Sequence, residues 1–222
     1  TQVSGLTTGQ LNALSTTNLR ALTTDQVVAL SSNQLRAFTS DQYAALTTDQ
    51  LEALPTDQIG NLESGDLSGL TSSQVTALTT AQVAALTTDG LQALSTAAFA
   101  AFSADQIGAL TTGHIAALTS TQLNNLTTAQ LDALTTAQVA ALGQAQIASL
   151  STAQANGLPT GQLAALSTTQ ITWISTADIA ALSSGSLAAL TNGQVGALTT
   201  AQTAALGTDQ LAALSTGQVA SL

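Results

Sequence analysis

The chain has 222 residues, and its 2 basic against 12 acidic side chains give a net charge of −10 at pH 7. Because neutralising phosphates requires clustered basic side chains, this composition argues against nucleic-acid binding and against docking on anionic membranes. Cysteine is absent, which excludes disulfides and thiolate metal sites. No run approaches the ~20 apolar residues that cross a bilayer, so we expect no membrane insertion.

A leucine recurs at every eighth position from Leu6 to Leu222 without insertion or deletion. Of these 28 positions, 25 are Leu, and the exceptions are Phe38, Phe102 and Ile174. Disordered chains are poor in branched aliphatic residues, so this regularity predicts an ordered chain. The sequence therefore predicts a single continuous array of about 28 octapeptide repeats over residues 1–222, with no linker.

The repeat positions are lettered a to h, with the recurring Leu at h, and the consensus is Thr-Thr-x-Gln-(Leu/Val/Ile)-x-Ala-Leu. Thr-x-x-Gln is a capping-box pattern, which predicts one short helix of six or seven residues per repeat. That spacing makes the Thr at a the cap. However, Pro55, Pro159, Gly143 and Gly207 occupy a, and Pro before a cap or Gly after a preceding helix fits better if b is the cap. We favour b as the N-cap, which places the recurrent Asp at c in the first turn.

Positions e and h lie three residues apart and so share one helix face, while Ala at g allows close approach. Isolated helices of this length are marginal in water, so successive helices must pack on one another. The pattern predicts an all-α solenoid with e and h filling its axis. It does not fix the number of repeats per turn, for which three or four is sterically reasonable. A β-solenoid is the alternative, because Thr ladders and aliphatic stacks also suit one.

The first and last repeats lack the polar caps that end most solenoids. Residues 1–6 already fit positions c to h, and the chain stops on a consensus Leu222. We expect either a segment of a longer array or a subunit whose ends stack on neighbours, so that the partners are other repeats or further copies of the chain.

Three residues replace Gln at d and could carry chemistry, namely His114, Asp66 and Asp178. A single His without a second His or Cys favours neither a metal site nor catalysis, and the two Asp residues are interpreted as alternative capping residues. We therefore predict no catalytic, metal or cofactor-binding residue, and no enzyme.

Bulky or charged exceptions are interpreted mainly as structural. Phe99 and Phe102 occupy e and h and predict core filling. Trp173 stands where the consensus has Ala, which indicates a surface contact or a local widening. The basic residues Arg20 and Arg36, both at f, are expected to be solvated, and the glycosylation sequon at Asn125 is a weak signal.

The run LTTAQVAALTTDGLQAL resembles octapeptide arrays in large secreted bacterial proteins of adhesin or surface-structure type. The resemblance implies an extracellular structural role, such as an elongated stalk, spacer or fibre-forming segment of a surface or filament protein. The alternative is binding of a repetitive ligand, ice or a surface polysaccharide, through regularly spaced Thr side chains.

Overall fold

The computed structural model describes residues 2–222, so the assignment of Thr1 to position c lies outside the described residues. A 3₁₀ turn at Gln2–Gly5 is followed by 27 short α-helices, one in each repeat, and no strand occurs among the described residues. The all-α prediction is confirmed, and the β-solenoid alternative is not supported.

The chain divides into two compact units, Thr1–Leu118 and Thr119–Leu222. The octapeptide register continues through the division, and a single continuous array stays a prediction. The first unit contains α1 Thr8–Asn12, α2 Thr16–Arg20, α3 Thr24–Val28, α4 Ser32–Leu35, α5 Ser40–Ala45, α6 Thr48–Glu52, α7 Thr56–Ile59, α8 Ser64–Leu67, α9 Ser72–Ala77, α10 Thr80–Ala85, α11 Thr88–Ala93, α12 Thr96–Ala100, α13 Ala104–Gly108 and α14 Thr112–Ala117. The second contains α15 Ser120–Asn124, α16 Thr128–Asp132, α17 Thr136–Ala140, α18 Gln144–Ala148, α19 Thr152–Gly157, α20 Thr160–Ala165, α21 Thr168–Trp173, α22 Thr176–Ala181, α23 Ser184–Ala188, α24 Asn192–Gly196, α25 Thr200–Ala204, α26 Thr208–Ala213 and α27 Thr216–Val219.

The helix cap lies at position a, so the prediction that b is the cap was wrong. In α10, the side chain of Thr79 accepts a hydrogen bond from the backbone N–H of Gln82, and the Gln82 side chain accepts one from the Thr79 N–H in return. Thr80, at b, is the first helical residue. The three-residue spacing of the capping box identifies the cap, because the side chain at N3 reaches back only to the N-cap.

The prolines and glycines at position a fit this cap for a simple reason. The N-cap backbone is extended, and Pro55 and Pro159 adopt φ of −58° and −56°, which are ordinary values for proline. Gly143 has φ of −83°, and no described residue has a positive φ. The helices therefore do not end in the left-handed glycine turn that the sequence suggested. Residue g continues right-handed, and h then turns extended.

Within each unit, a helix packs on the third helix further along the chain, as in α2 on α5, α6 on α9 and α17 on α20. Position e is at most 2% exposed from Leu11 to Val195, and position h is buried from Leu30 to Leu190. The prediction that e and h fill the core is confirmed. The helices themselves are four to six residues long, slightly shorter than predicted.

Candidate functional site

The glutamines at position d form a buried hydrogen-bond system that we call the glutamine ladder. Gln74 is 3% exposed. Its Oε1 accepts from the Thr71 N–H at 2.8 Å, which closes the cap of its own helix. Its Nε2 donates to the carbonyl oxygens of Tyr43 at 2.8 Å and Leu46 at 2.7 Å, which lie 31 and 28 residues earlier. One side chain thus links a helix start to the preceding turn of the coil.

The same register recurs in both units. Nε2 donates to a carbonyl 28 residues earlier, usually also to one 30 or 31 residues earlier, at Gln34, Gln42, Gln50, Gln58, Gln74, Gln82 and Gln106 in the first unit and at Gln154, Gln162, Gln170, Gln194, Gln202, Gln210 and Gln218 in the second. Together with the packing of each helix on the third one along, this reach sets a turn at between three and four repeats. Each bond adds about 0.5–1.5 kcal/mol net, and each would be costly to leave unmade in a buried position.

Only half of this arrangement is visible in the repeat pattern. The Thr-x-x-Gln spacing indicates the capping box, but the bonds of Gln to the preceding turn were not predicted. The available signal was that d directly precedes the buried position e on a short helix, so that a long polar side chain there needs a partner for each of its polar atoms.

His114 reproduces the ladder with a different side chain. Its Nδ1 accepts from the Thr111 N–H at 3.2 Å, and its Nε2 lies 2.8 Å from the Leu86 carbonyl oxygen, 28 residues earlier. Since a carbonyl only accepts, Nε2 carries the proton and Nδ1 is bare, which is the neutral Nε2–H tautomer. His114 therefore takes the place of a ladder glutamine.

Asp66 keeps only the capping half. Its Oδ2 accepts from the Glu63 N–H at 2.8 Å, in line with the predicted capping role, but a carboxylate has nothing to donate to the preceding turn. The Tyr43 hydroxyl donates instead to the Leu35 carbonyl oxygen at 3.0 Å, 31 residues before Asp66. Burial raises the pKa of Asp66. The Glu63 N–H bond lowers it, the Glu63 charge raises it, and Arg36 lowers it, each by less than burial does. Burial, aided by Asp66, also raises the pKa of Tyr43.

Asp178 and Ser186 interrupt the ladder in the second unit. Asp178 accepts hydrogen bonds from the hydroxyls of Ser175 at 2.6 Å and Thr152 at 2.8 Å. Ser186 pairs with the Ser183 hydroxyl at 2.8 Å. Both side chains form hydrogen bonds with neighbouring hydroxyl groups, and the bond from Thr152 to Asp178 links two turns.

The two repeats with proline at position a each leave one glutamine oxygen without a hydrogen-bond partner. Proline has no N–H, and the Oε1 atoms of Gln58 and Gln162, three residues after Pro55 and Pro159, are buried without a hydrogen-bond partner. The same atom is satisfied where glycine occupies a, since the Gly143 N–H donates to Gln146 Oε1 at 2.7 Å.

The remaining residues that the sequence analysis named lie either in the core or at the surface. Phe99 and Phe102 are buried edge to face, with ring centroids 5.6 Å apart. Trp173 is half-buried at the end of α21, and Arg20 is exposed. Arg36 is also exposed, as predicted, but it makes a hydrogen bond as well. Its Nε donates to the Asn61 carbonyl oxygen at 2.7 Å, one turn further on.

The exposed sequon residue Asn125 donates its side-chain amide to the Thr121 carbonyl oxygen at 2.8 Å. A cavity of about 10 Å³ lies in the second unit beside Ala155, where e lacks a large side chain. It holds about one water-sized sphere, so it is too small for an organic ligand.

Shallow surface grooves recur at equivalent positions between successive turns. One of about 260 Å³ in the first unit is lined by Arg20, Thr48 and Ser73, and one of about 350 Å³ in the second unit is lined by Ser184, Thr208 and Asp209. Position b contributes a hydroxyl to each groove. Because a is the cap, these b hydroxyls are not used in capping.

Residues 2–222 contain no group of three or more His, Cys, Asp or Glu side chains placed to hold a metal ion. None of the helices in this part of the chain is long and apolar enough to cross a membrane. The repeated capped helices and their ladder define a helical tandem-repeat protein of structural type.

The chain belongs to the ALTTAQ repeat family. The family model matches residues 3–40, 32–64, 59–94, 88–120, 115–144, 156–192, 171–208 and 187–222. No curated protein matches the chain.

Proposed function

We propose that this structural repeat protein serves as an elongated stalk, spacer or fibre-forming segment of an extracellular bacterial surface or filament protein, and that it is not an enzyme. The glutamine ladder carries the proposal. The polar side chains at a and d of most repeats are engaged in hydrogen bonds within and between turns, which suits a role in setting the length and shape of the protein.

The structural role is tested by lengthening the chain. A variant with three further repeats, copied from residues 127–150, should give a particle with a larger maximum dimension and an unchanged cross-section in small-angle scattering and electron microscopy. A particle that grows equally in all directions would reject the elongated form. Antibody labelling of intact and permeabilised source cells tests the extracellular location. If the location is extracellular, intact cells should be labelled.

A second candidate is binding of a surface polysaccharide along the recurring grooves. It is favoured by the b hydroxyls, which stay exposed or half-exposed in most repeats and are not consumed by capping. Replacing Thr48 and Thr208, the b residues that line one groove each, with Ala should weaken binding on a glycan array, while the same change at Thr112, outside the two grooves described above, is the control. The ice-binding version is tested by thermal hysteresis, and its absence would remove that version.

A further inference from the structure

Trp173 differs from the other aromatic residues of the chain in its place in the fold. It is the single tryptophan, and it stands at position g, where Ala recurs. The four other aromatic side chains are at most 4% exposed, namely Phe38, Tyr43, Phe99 and Phe102. Trp173 is half-buried at the end of α21. An indole that is only partly covered leaves part of a large apolar face in contact with solvent.

Three surface grooves between turns share one construction. Each is lined by the end of one helix, the start of the next helix and the start of the third helix after that. The groove at Thr48 uses α5, α6 and α9, and the groove at Thr208 uses α22, α23 and α26. A third groove, of about 310 Å³, uses α7, α8 and α11. The construction follows from the repeat and occurs in both units.

Position g lies at the edge of these grooves. In the third groove, Asn61 at g is one of the lining residues. In the other two, g is Ala45 and Ala181, and neither of them lines its groove. A side chain larger than Ala at g thus reaches the groove of its own repeat. In the same register, Trp173 lines a groove formed by the end of α21 and the starts of α22 and α25, and α22 packs on α25.

The groove at Trp173 is lined by hydroxyl groups and carries no charge. Thr176 and Thr200, at the starts of α22 and α25, are exposed, and as b residues they are not used in capping. The positions that line the other grooves are all uncharged here, whereas the other grooves include Arg20, Arg36, Glu63, Asp89 and Asp209. Asp178, in α22, is 4% exposed and accepts hydrogen bonds from two hydroxyls.

We infer that Trp173, Thr176 and Thr200 form a subsite for a neutral hexopyranose unit of a polysaccharide. The C–H groups on one face of a pyranose ring form an apolar surface that stacks on an indole, and the hydroxyls at the ring edge pair with the Thr hydroxyls. The net charge of −10 disfavours an acidic sugar. The inference rests on the polysaccharide binding proposed above as the second candidate, and it names the subsite and the charge class of the ligand.

The single tryptophan is its own reporter, because all tryptophan fluorescence of the full chain comes from Trp173. A glycan array identifies neutral glycans that the chain binds, and cellohexaose, maltohexaose and mannohexaose serve as soluble neutral probes. With at least one neutral probe the emission should shift to shorter wavelength and saturate, because a stacked sugar excludes water from the indole. Hexagalacturonate, an acidic probe of the same length, should give no saturating shift.

Variants at position 173 separate stacking from folding. Trp173→Ala restores the residue that recurs at g, so it should fold, which circular dichroism checks. By calorimetry it should bind the same neutral probe at least about tenfold more weakly. Trp173→Phe keeps an aromatic face and should recover part of the affinity. Thr176→Ala with Thr200→Ala should also weaken binding, and Thr112→Ala, outside this groove, should leave it unchanged.

Three outcomes would overturn the inference. If the chain binds neutral glycans while the Trp173 emission stays constant and Trp173→Ala binds equally well, the sugar lies elsewhere, and polysaccharide binding itself stands. If neither the array nor the soluble probes show binding of a neutral glycan, the subsite fails together with neutral polysaccharide binding. If the emission shifts with protein concentration in the absence of sugar, Trp173 contacts a second copy of the chain instead.

Discussion

The repeats at residues 79–86 and 63–70 differ at position d, where the first has Gln82 and the second has Asp66. Gln82 accepts from the Thr79 N–H and donates to the Leu51 and Leu54 carbonyl oxygens at 2.9 and 2.8 Å. Asp66 makes the first kind of bond only, and the Tyr43 hydroxyl supplies one of the missing donors. In both repeats the side chain at d supplies an acceptor to its own cap, whereas the donor to the previous turn comes from d itself in one repeat and from the Tyr43 hydroxyl in the other.

The largest effect should come from making the first repeat resemble the second. Gln82→Glu places a buried carboxylate against the Leu51 and Leu54 carbonyl oxygens, and the residue equivalent to Tyr43 is here Ile59, which has no hydroxyl to take over. We expect the free energy of unfolding to fall by about 3–5 kcal/mol, as when one partner of a buried polar pair is lost. Urea denaturation followed by circular dichroism measures it. Gln82→His is the control, because an imidazole can fill both roles, and equal losses for the two variants would contradict the ladder model.

A comparable loss is expected where the core loses volume. Leu134 at h is 4% exposed, so Leu134→Ala should cost about 2–5 kcal/mol, and Leu118→Ala should behave alike. Ala116→Ser, at exposed position f, should stay within about 0.5 kcal/mol. Denaturant melts of the three variants decide the point, and similar small effects at h and f would mean that h does not fill the core.

Much of the fold was predictable from the sequence. The features that were predicted wrongly or not at all have physical reasons. Leu at h and aliphatic residues at e predict the buried face because both recur at a spacing that fits one side of a helix. The cap was placed one residue late because Pro55 and Gly143 were taken to exclude a, although an N-cap needs only an extended backbone. The bonds from Gln to the previous turn depend on how many repeats make a turn, and local sequence does not encode that number in a readable form.

Asp66 should make the free energy of unfolding depend on pH. Gln82, at the same position of the other repeat, does not titrate and gives no such dependence. Burial raises the pKa of Asp66 in the folded chain, so the folded state holds the proton more tightly than the unfolded state. Stability should fall as the pH rises from the ordinary carboxyl pKa through the raised value, and then level off. The loss is smaller than for Gln82→Glu, because Tyr43 already serves one carbonyl.

Replacing Asp66 with Asn removes the titration and should flatten this part of the profile. The free energy of unfolding, measured between about pH 4 and 7, should therefore fall with rising pH more in the unmodified chain than in Asp66→Asn. Asp57→Asn, in an exposed first turn, controls for the loss of one negative charge. Parallel profiles for the chain and for Asp66→Asn would contradict the assignment. The groups that act on the pKa of Asp66 are Glu63 and Arg36, and Asp66 in turn raises the pKa of Tyr43.

The proline repeats offer a smaller change, this time a gain. Pro159→Thr provides an N–H for the buried Oε1 of Gln162 and a hydroxyl for the cap, against the lost stiffness of proline. We expect about 1 kcal/mol of added stability. Pro159→Ala restores the N–H alone and should fall short of Pro159→Thr by about 0.5–2 kcal/mol. Thermal and urea melts measure both, and a destabilised Pro159→Thr would mean that the orphaned Oε1 costs little.

The smallest effect is expected at His114, where the side chain differs from the consensus but fills both roles. His114→Gln should change the unfolding free energy by no more than about 0.5 kcal/mol, because an amide and a neutral imidazole offer the same acceptor and donor. The structure also requires that Nε2 carries the proton, since it faces the Leu86 carbonyl oxygen at 2.8 Å. The ¹⁵N shifts of the ring in a two-bond proton–nitrogen correlation distinguish the two neutral tautomers directly. A ring protonated at Nδ1 alone would point an N–H at the Thr111 N–H. Finding that tautomer would show that histidine breaks the cap at this position and does not substitute for glutamine.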